Sequence, residues 1–219
     1  MTERPKPRRQ PGSATEPLVF IVEDDELIRR ALSNLFQSMG LEVQMFGSAA
    51  EMLQGELPDV ASCLVLDIRL PGLSGLDFQS ELARANINIP IIFMTGHGDI
   101  PMSVRAMKGG AVDFLTKPFR DQDMLDAVTV AIERDRKRRE TDRIAAHLQV
   151  LLDSLTPRER EVLALVSSGL MNKQVAAELG LAEITVKLHR GQVMRKMGAK
   201  SLADLVRMVE TLGIHRNKP

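Results

Sequence analysis

Four short apolar runs each lead into a polar group suited to phosphate chemistry. Glu23 and Asp24 follow Leu18 to Val22, Asp67 follows Cys63 to Leu66, Thr95 follows Ile91 to Met94, and Lys117 lies just past Val112 to Leu115. If the runs are parallel strands of one sheet, all four groups gather at its carboxyl edge, where open α/β sheets place their ligand crevices. Two or three carboxylates meeting a lysine there would hold a hard divalent cation and a phosphoryl group.

The rest of residues 18–132 fits such a sheet. A fifth apolar run, Glu42 to Phe46, completes five strands, and apolar residues recur at helical spacing between them. Leu27, Ala31, Leu35 and Phe36 mark one helix, Leu76, Leu82 and Ala83 another, Val104 and Met107 a third, and Leu125, Val128 and Ile132 the last. Alternating strands and helices with short connections predict an α/β fold, a five-stranded doubly wound parallel sheet covered on both faces. A smaller all-α unit is expected after it.

Charge divides the 219-residue chain in the same way. Its net charge is 0, yet residues 18–132 carry 16 Asp/Glu against 8 Lys/Arg and residues 133–219 carry 11 against 17. An acidic module suits a cation site, and a basic one is the electrostatic footprint of a nucleic-acid binder. Cys63, the single cysteine, lies inside an apolar run and excludes an intrachain disulfide. No apolar stretch reaches the ~20 residues of a membrane helix, and the first segment lacks the apolar core of a signal peptide, so a cytoplasmic protein without membrane association is expected. Residues 1–17 hold Pro5, Pro7, Pro11, Gly12 and Pro17 and read as a disordered tail.

Residues 133–153 read as a helical linker. Glu133 to Arg143 contains no large apolar residue, so this stretch is not expected to face a core. Ile144, Leu148, Leu151 and Leu155 then form a heptad-like seam, either a dimerising coiled coil or a surface packed on a neighbouring domain. From residue 154 to 219 the pattern is four helices. Thr156, Pro157 and Glu159 make a capping-box start, Asn172 is placed to cap the second helix, Glu183 to Met197 forms the third, and Ser201 caps the last. The second and third, joined through Gly180, have helix-turn-helix geometry. Val186, Val193 and Met197 should face the core. Thr185, Lys187, Leu188, Gly191, Gln192 and Arg195 would then face DNA, with Arg190 as a further contact and Lys173 on a phosphate. Gly191 in mid-helix costs ~1 kcal/mol relative to Ala, and either close approach to DNA or helix crowding would account for a glycine there.

The motifs Val22 to Asp25, Leu66 to Gly72, Thr95 to Gly98 and Lys117 to Phe119 resemble those of the receiver domain of two-component response regulators. Thr156 to Leu163 together with Thr185 to His189 resemble the LuxR-type helix-turn-helix, and the whole order resembles FixJ-like regulators. The first resemblance implies a flavodoxin-like fold with Asp67 as the phosphoacceptor of a histidine kinase. It also implies Mg2+ held by Glu23, Asp24, Asp67 and the Arg69 carbonyl, with Thr95, Lys117 and Phe114 sensing the phosphoryl group, and a cis Lys117–Pro118 peptide. Family members carry a base five residues after the second acid, and Arg29 in that place selects Glu23 and Asp24 as the acidic pair, leaving Asp25 as a helix cap. His97 reads as a loop residue.

Together these resemblances imply a DNA-binding transcription regulator that dimerises on phosphorylation, and not an enzyme beyond its own phosphoryl transfer and loss. Two alternatives stand beside it: an Asp-nucleophile phosphohydrolase, and a DNA-binding regulator that needs no phosphorylation.

Overall fold

A computed structural model describes residues 16–55, 57–96 and 100–214; His97 and residues 1–15 of the expected tail lie outside the described residues. The chain divides between Arg139 and Glu140 into two compact units. In the first, strands β1 (Leu18–Val22), β2 (Glu42–Phe46), β3 (Ser62–Asp67), β4 (Ile91–Thr95) and β5 (Asp113–Thr116) alternate with helices α1 (Glu26–Ser38), α2 (Ala49–Gln54), α3 (Gly75–Arg84), α4 (Ile100–Lys108) and the first part of α5 (Asp121–Asp153). All strand pairs are parallel and the sheet order is β2-β1-β3-β4-β5.

Period-two alternation builds two cores on opposite faces of this sheet. Leu18, Phe20 and Val22 join Leu64, Leu66 and Phe93 under α2, α3 and α4. Val19 and Ile21 join Val65, Ile92 and Met94 under α1 and α5. Each fully buried side chain of this size contributes about 1.5–3 kcal/mol, so the central strands are nearly continuous apolar runs. The order reverses between β1 and β3, and that switch point opens the crevice at the carboxyl edge.

Several helical faces differ from their expected ones. Leu27 is 80% exposed and Ala31 is exposed too, and α1 buries Leu32 and Ser33 beside the expected Phe36. Val104 and Met107 are also exposed, leaving Ala106 as the buried residue of α4. Short apolar series cannot by themselves fix the phase of a helix, and on α4 it is the small Ala106 that approaches the sheet. Helix α2 was not located by periodicity, since six residues hold less than two turns.

The largest departure is in α5, which runs unbroken for 33 residues. Its polar stretch was not expected to face a core, yet Asp135 is fully buried. Asp135 Oδ2 accepts the Ser62 N–H at 3.0 Å and Arg139 Nε at 2.6 Å, while Oδ1 accepts Arg138 Nη2 at 2.6 Å. Arg139 also pairs with Asp59. A buried carboxylate is tolerable when it is hydrogen-bonded and paired in this way, so a polar residue docks the helix at the start of β3.

The second unit holds α6 (Pro157–Ser167), α7 (Asn172–Leu179), α8 (Glu183–Met197) and α9 (Leu202–Thr211). Its core collects Val162, Val166, Val175, Val186, Val193 and Leu205, with Leu155 and Leu151 of the seam packed into it. Thr156 and Glu159 form the expected capping box, and Ser201 caps α9. Asn172 is not a cap. It is the first residue of α7, and its Oδ1 accepts Arg190 Nη1 at 3.1 Å while Gln174 reaches back to the Met171 N–H. The N-cap of α8 is Ala182, with no side-chain hydrogen bond.

Glu159 is buried and accepts Lys196 Nζ at 2.6 Å. The Lys196 ammonium, followed by the Thr156 backbone N–H, holds its carboxyl below the usual glutamate range. A lowered native value adds stability that is complete above the ordinary glutamate value and is lost as pH falls through the lowered one. Glu159→Gln retains a capping oxygen without charge, and it should flatten the acid limb of the thermal stability curve of the second unit. For the first unit, Asp135→Ala strands the Ser62 N–H and removes one partner from each of two guanidinium groups. Because both arginines are partly exposed, a loss of about 2 kcal/mol is expected, read as a lower urea midpoint with an unchanged slope.

Candidate phosphoryl site and nucleic-acid interface

The carboxyl edge of the first unit brings residues far apart in sequence into direct contact. Glu23 and Asp24 leave β1, Asp67 is the last residue of β3, Thr95 ends β4, and Lys117 follows β5. Lys117 Nζ lies 2.5 Å from Glu23 Oε2 and 2.7 Å from Asp67 Oδ2. The other carboxylate oxygen of Asp67 accepts the Arg69 N–H at 2.9 Å. Thr95 is fully buried, and its carbonyl accepts the Lys117 N–H at 2.7 Å. The Lys117–Pro118 peptide is cis, as the resemblance implies.

Local features hold this geometry. Arg29, on the first turn of α1, donates through Nη1 to the Glu23 carbonyl at 2.5 Å and the Asp24 carbonyl at 3.3 Å. Beyond marking the register of the acidic pair, Arg29 thus fixes the acidic turn in the folded chain. Asp25 accepts from the N–H groups of Leu27 and Ile28, so it caps α1 as expected. Gly75, at the start of α3, donates its N–H to the Ile68 carbonyl. A Cβ on Gly75 would lie 2.5 Å from the Asp67 carbonyl oxygen, so only glycine lets α3 approach the strand end this closely.

Glu23 and Asp67 are buried and Asp24 is exposed, and each offers an oxygen within 4.8 Å of the others. Burial, opposed by the Lys117 hydrogen bond but reinforced by the Asp67 charge, pushes the Glu23 carboxyl up to about 7. Burial works against the Lys117 ammonium, yet its hydrogen bonds to Asp67 and Glu23 outweigh that and hold it above the usual lysine range. Three carboxylates around one lysine form a site with surplus negative charge. Oxygen donors from two or three carboxylates fit a small hard cation, and this donor set suits Mg2+ in chemistry. Phe114, on β5, is partly buried against the core beneath α3 and α4.

In the second unit the faces of α8 separate cleanly. Val186, Val193 and Met197 are buried, whereas Lys187, Leu188, Gly191 and Arg195 are exposed and Thr185 is half-buried. Lys173, on α7, is exposed too. Arg190 is half-buried through its bond to Asn172, and His189 is half-buried as well. A Cβ at Gly191 would meet nothing within 4 Å. Helix crowding therefore does not explain this glycine, and the open-approach reading remains. Ile184, outside the expected set, is 73% exposed. Its spacing of four from Leu188 was the available signal.

Among the described residues no helix is long and apolar enough to cross a membrane. Residues 19–129 match the response regulator receiver domain, and residues 153–209 match the bacterial regulatory proteins of the luxR family. Nodulation protein W of Bradyrhizobium diazoefficiens is 71% identical over 205 residues, covering 94% of this chain and 90% of that protein. Transcriptional regulatory protein FixJ of Rhizobium meliloti is 43% identical over 195 residues, covering 89% and 95%. The low-resolution structure of response regulator StyR superposes with a TM-score of 0.80 at 48% identity, covering 90% of this chain and 99% of that one. The chain belongs to the two-component response regulators that join a receiver domain to a LuxR-type DNA-binding domain, and it is a two-component transcriptional regulator.

Proposed function

We propose that this regulator stores a phosphoryl group on Asp67, received from a sensor histidine kinase, and that the stored charge alters dimerisation and promoter binding. The observation that carries this reading is the double contact of Lys117 with Asp67 and Glu23 at the sheet's switch point. In the transfer, an Asp67 oxygen attacks phosphorus, the new O–P bond forms as the kinase's N–P bond breaks, and the imidazole leaves. Glu23, Asp24, Asp67 and the Arg69 carbonyl would hold Mg2+, which when bound screens the negative charge of the incoming group.

Lys117 then pairs with a phosphoryl oxygen in place of the Asp67 oxygen it now holds. The Thr95 hydroxyl donates to another, and Phe114 repositions with it. The Arg69 N–H holds the other Asp67 oxygen meanwhile. Downstream, Thr185, Lys187, Leu188, Gly191 and Arg195 meet the major groove, with Lys173 and Arg190 on the backbone. The regulator acts in the cytoplasm, and its chemistry is confined to gaining and losing its own phosphoryl group.

Incubation of the full chain with Mg2+ and a small labelled phosphodonor should yield one acyl phosphate, labile to acid, alkali and hydroxylamine and lost in Asp67→Asn. Label retained by Asp67→Asn would remove Asp67 as acceptor. Turnover of many phosphate monoesters per chain would favour the phosphohydrolase reading instead.

The Glu23 carboxyl near 7 sets a pH dependence. Glu23 must shed its proton to serve as a ligand, so Mg2+ binding releases protons and weakens as pH falls through about 7. Between pH 8 and pH 6 the affinity should drop on the order of tenfold. The chain lacks Trp and Tyr, so calorimetry in buffers of different ionisation enthalpy is the direct readout. Equal affinity at both pH values would contradict the role of Glu23.

A further inference from the structure

Helix α8 exposes a single stripe along its length. Ile184, Lys187, Leu188, Gly191 and Arg195 are all exposed, and they stand at intervals of three, one, three and four. Two of them are large and aliphatic: Ile184 is 73% exposed and Leu188 63%. An open depression of about 360 Å3 is lined by Ile184, Thr185, Lys187 and Leu188. Apolar side chains this exposed on one turn mark a contact surface.

The charges beside them identify the occupant. Glu183, exposed one turn before Lys187, is the only acid of α8, against Lys187, Arg190, Arg195 and Lys196, so bases outnumber acids on this helix four to one. Phosphates complement that stripe better than a neutral protein surface does. In the major groove the apolar group of a base edge is the thymine 5-methyl. Residues four apart on a helix are about 6 Å apart along its axis, about two base-pair steps of ~3.4 Å. The bare Gly191 lets the backbone come near enough for both side chains to reach base edges.

We infer that Ile184 and Leu188 are specificity-determining residues that read thymine 5-methyl groups on nearby base steps. This rests on the proposed reading of DNA by α8 and adds the chemistry it selects. Lys187 and Arg195, flanking the pair, supply affinity and register, while the two aliphatic side chains reject a base that lacks the methyl.

The test uses the full chain treated with Mg2+ and a small phosphodonor. Its preferred site is first selected from a random DNA pool, and each thymine is then replaced in turn by deoxyuridine, which differs only in the missing methyl. Burial of one methyl-sized group is worth about fourfold in affinity, so one or two thymines per half-site should lose about fourfold on replacement. Ile184→Ala and Leu188→Ala should each abolish the discrimination at the thymine that its own side chain contacts and keep it at the other, whereas Lys187→Ala should weaken both forms equally and reduce the salt dependence.

Equal binding of thymine and deoxyuridine sites by the unsubstituted chain overturns the inference while leaving DNA reading intact. So does a change in the oligomeric state of Ile184→Ala or Leu188→Ala without a change in methyl discrimination, because the stripe would then meet protein. Failure to select any sequence overturns the DNA-reading function itself, and this inference with it.

Discussion

Lys117 is the contact on which the geometry of the phosphoryl site depends. Its ammonium touches Glu23, which follows β1, and Asp67, which ends β3, while the lysine itself follows β5. One side chain thus spans the carboxyl edge of the sheet and neutralises part of a cluster that would otherwise repel itself. The same contact bears on both shifted ionisations, opposing the shift of Glu23 and producing that of Lys117. Glu23 is forced upward because burial and Asp67 outweigh one lysine, and Lys117 is held charged because two carboxylates share it. A phosphoryl group on Asp67 would compete for that lysine, which gives the stored charge a direct structural effect.

The sheet makes this contact possible. Parallel strands put every carboxyl end on one edge, and the reversal of order between β1 and β3 opens space beside Asp67. Arg29 fixes the acidic turn through its two carbonyls, and Gly75 allows α3 to approach the end of β3. At the other end of β3, Ser62 donates to Asp135 of α5. Strand β3 is therefore tied by polar contacts at both ends, to the phosphoryl site at one and to α5 at the other. Helix α5 continues unbroken to Asp153, past the division between the two units.

Much of this was legible in the sequence, and the exceptions have physical reasons. β1 and β2 matched their expected bounds residue for residue; β1 does so because a strand buried along its whole length ends abruptly at polar residues. β3 extends one residue at each end beyond its run, since Ser62 and Asp67 bond outside the apolar pattern. The burial of Asp135 was invisible, because hydropathy cannot tell a carboxylate in water from one paired with arginines and a backbone N–H. Asn172 had the right residue type for a cap, yet Arg190, 18 residues away, takes its oxygen. Gathering Glu23, Asp67 and Lys117 needed only strand order and motif. Their distances needed the folded chain.

The central claim is that charge placed on Asp67 governs DNA reading by α8. The most direct measurement is the DNA affinity of the full chain at fixed salt, with and without a small phosphodonor and Mg2+, for the unsubstituted protein and for Asp67→Asn. The account predicts that the phosphodonor shifts the affinity of the unsubstituted chain and leaves that of Asp67→Asn unchanged. Equal affinity of the unsubstituted chain under both conditions, or the same shift in Asp67→Asn, would contradict it.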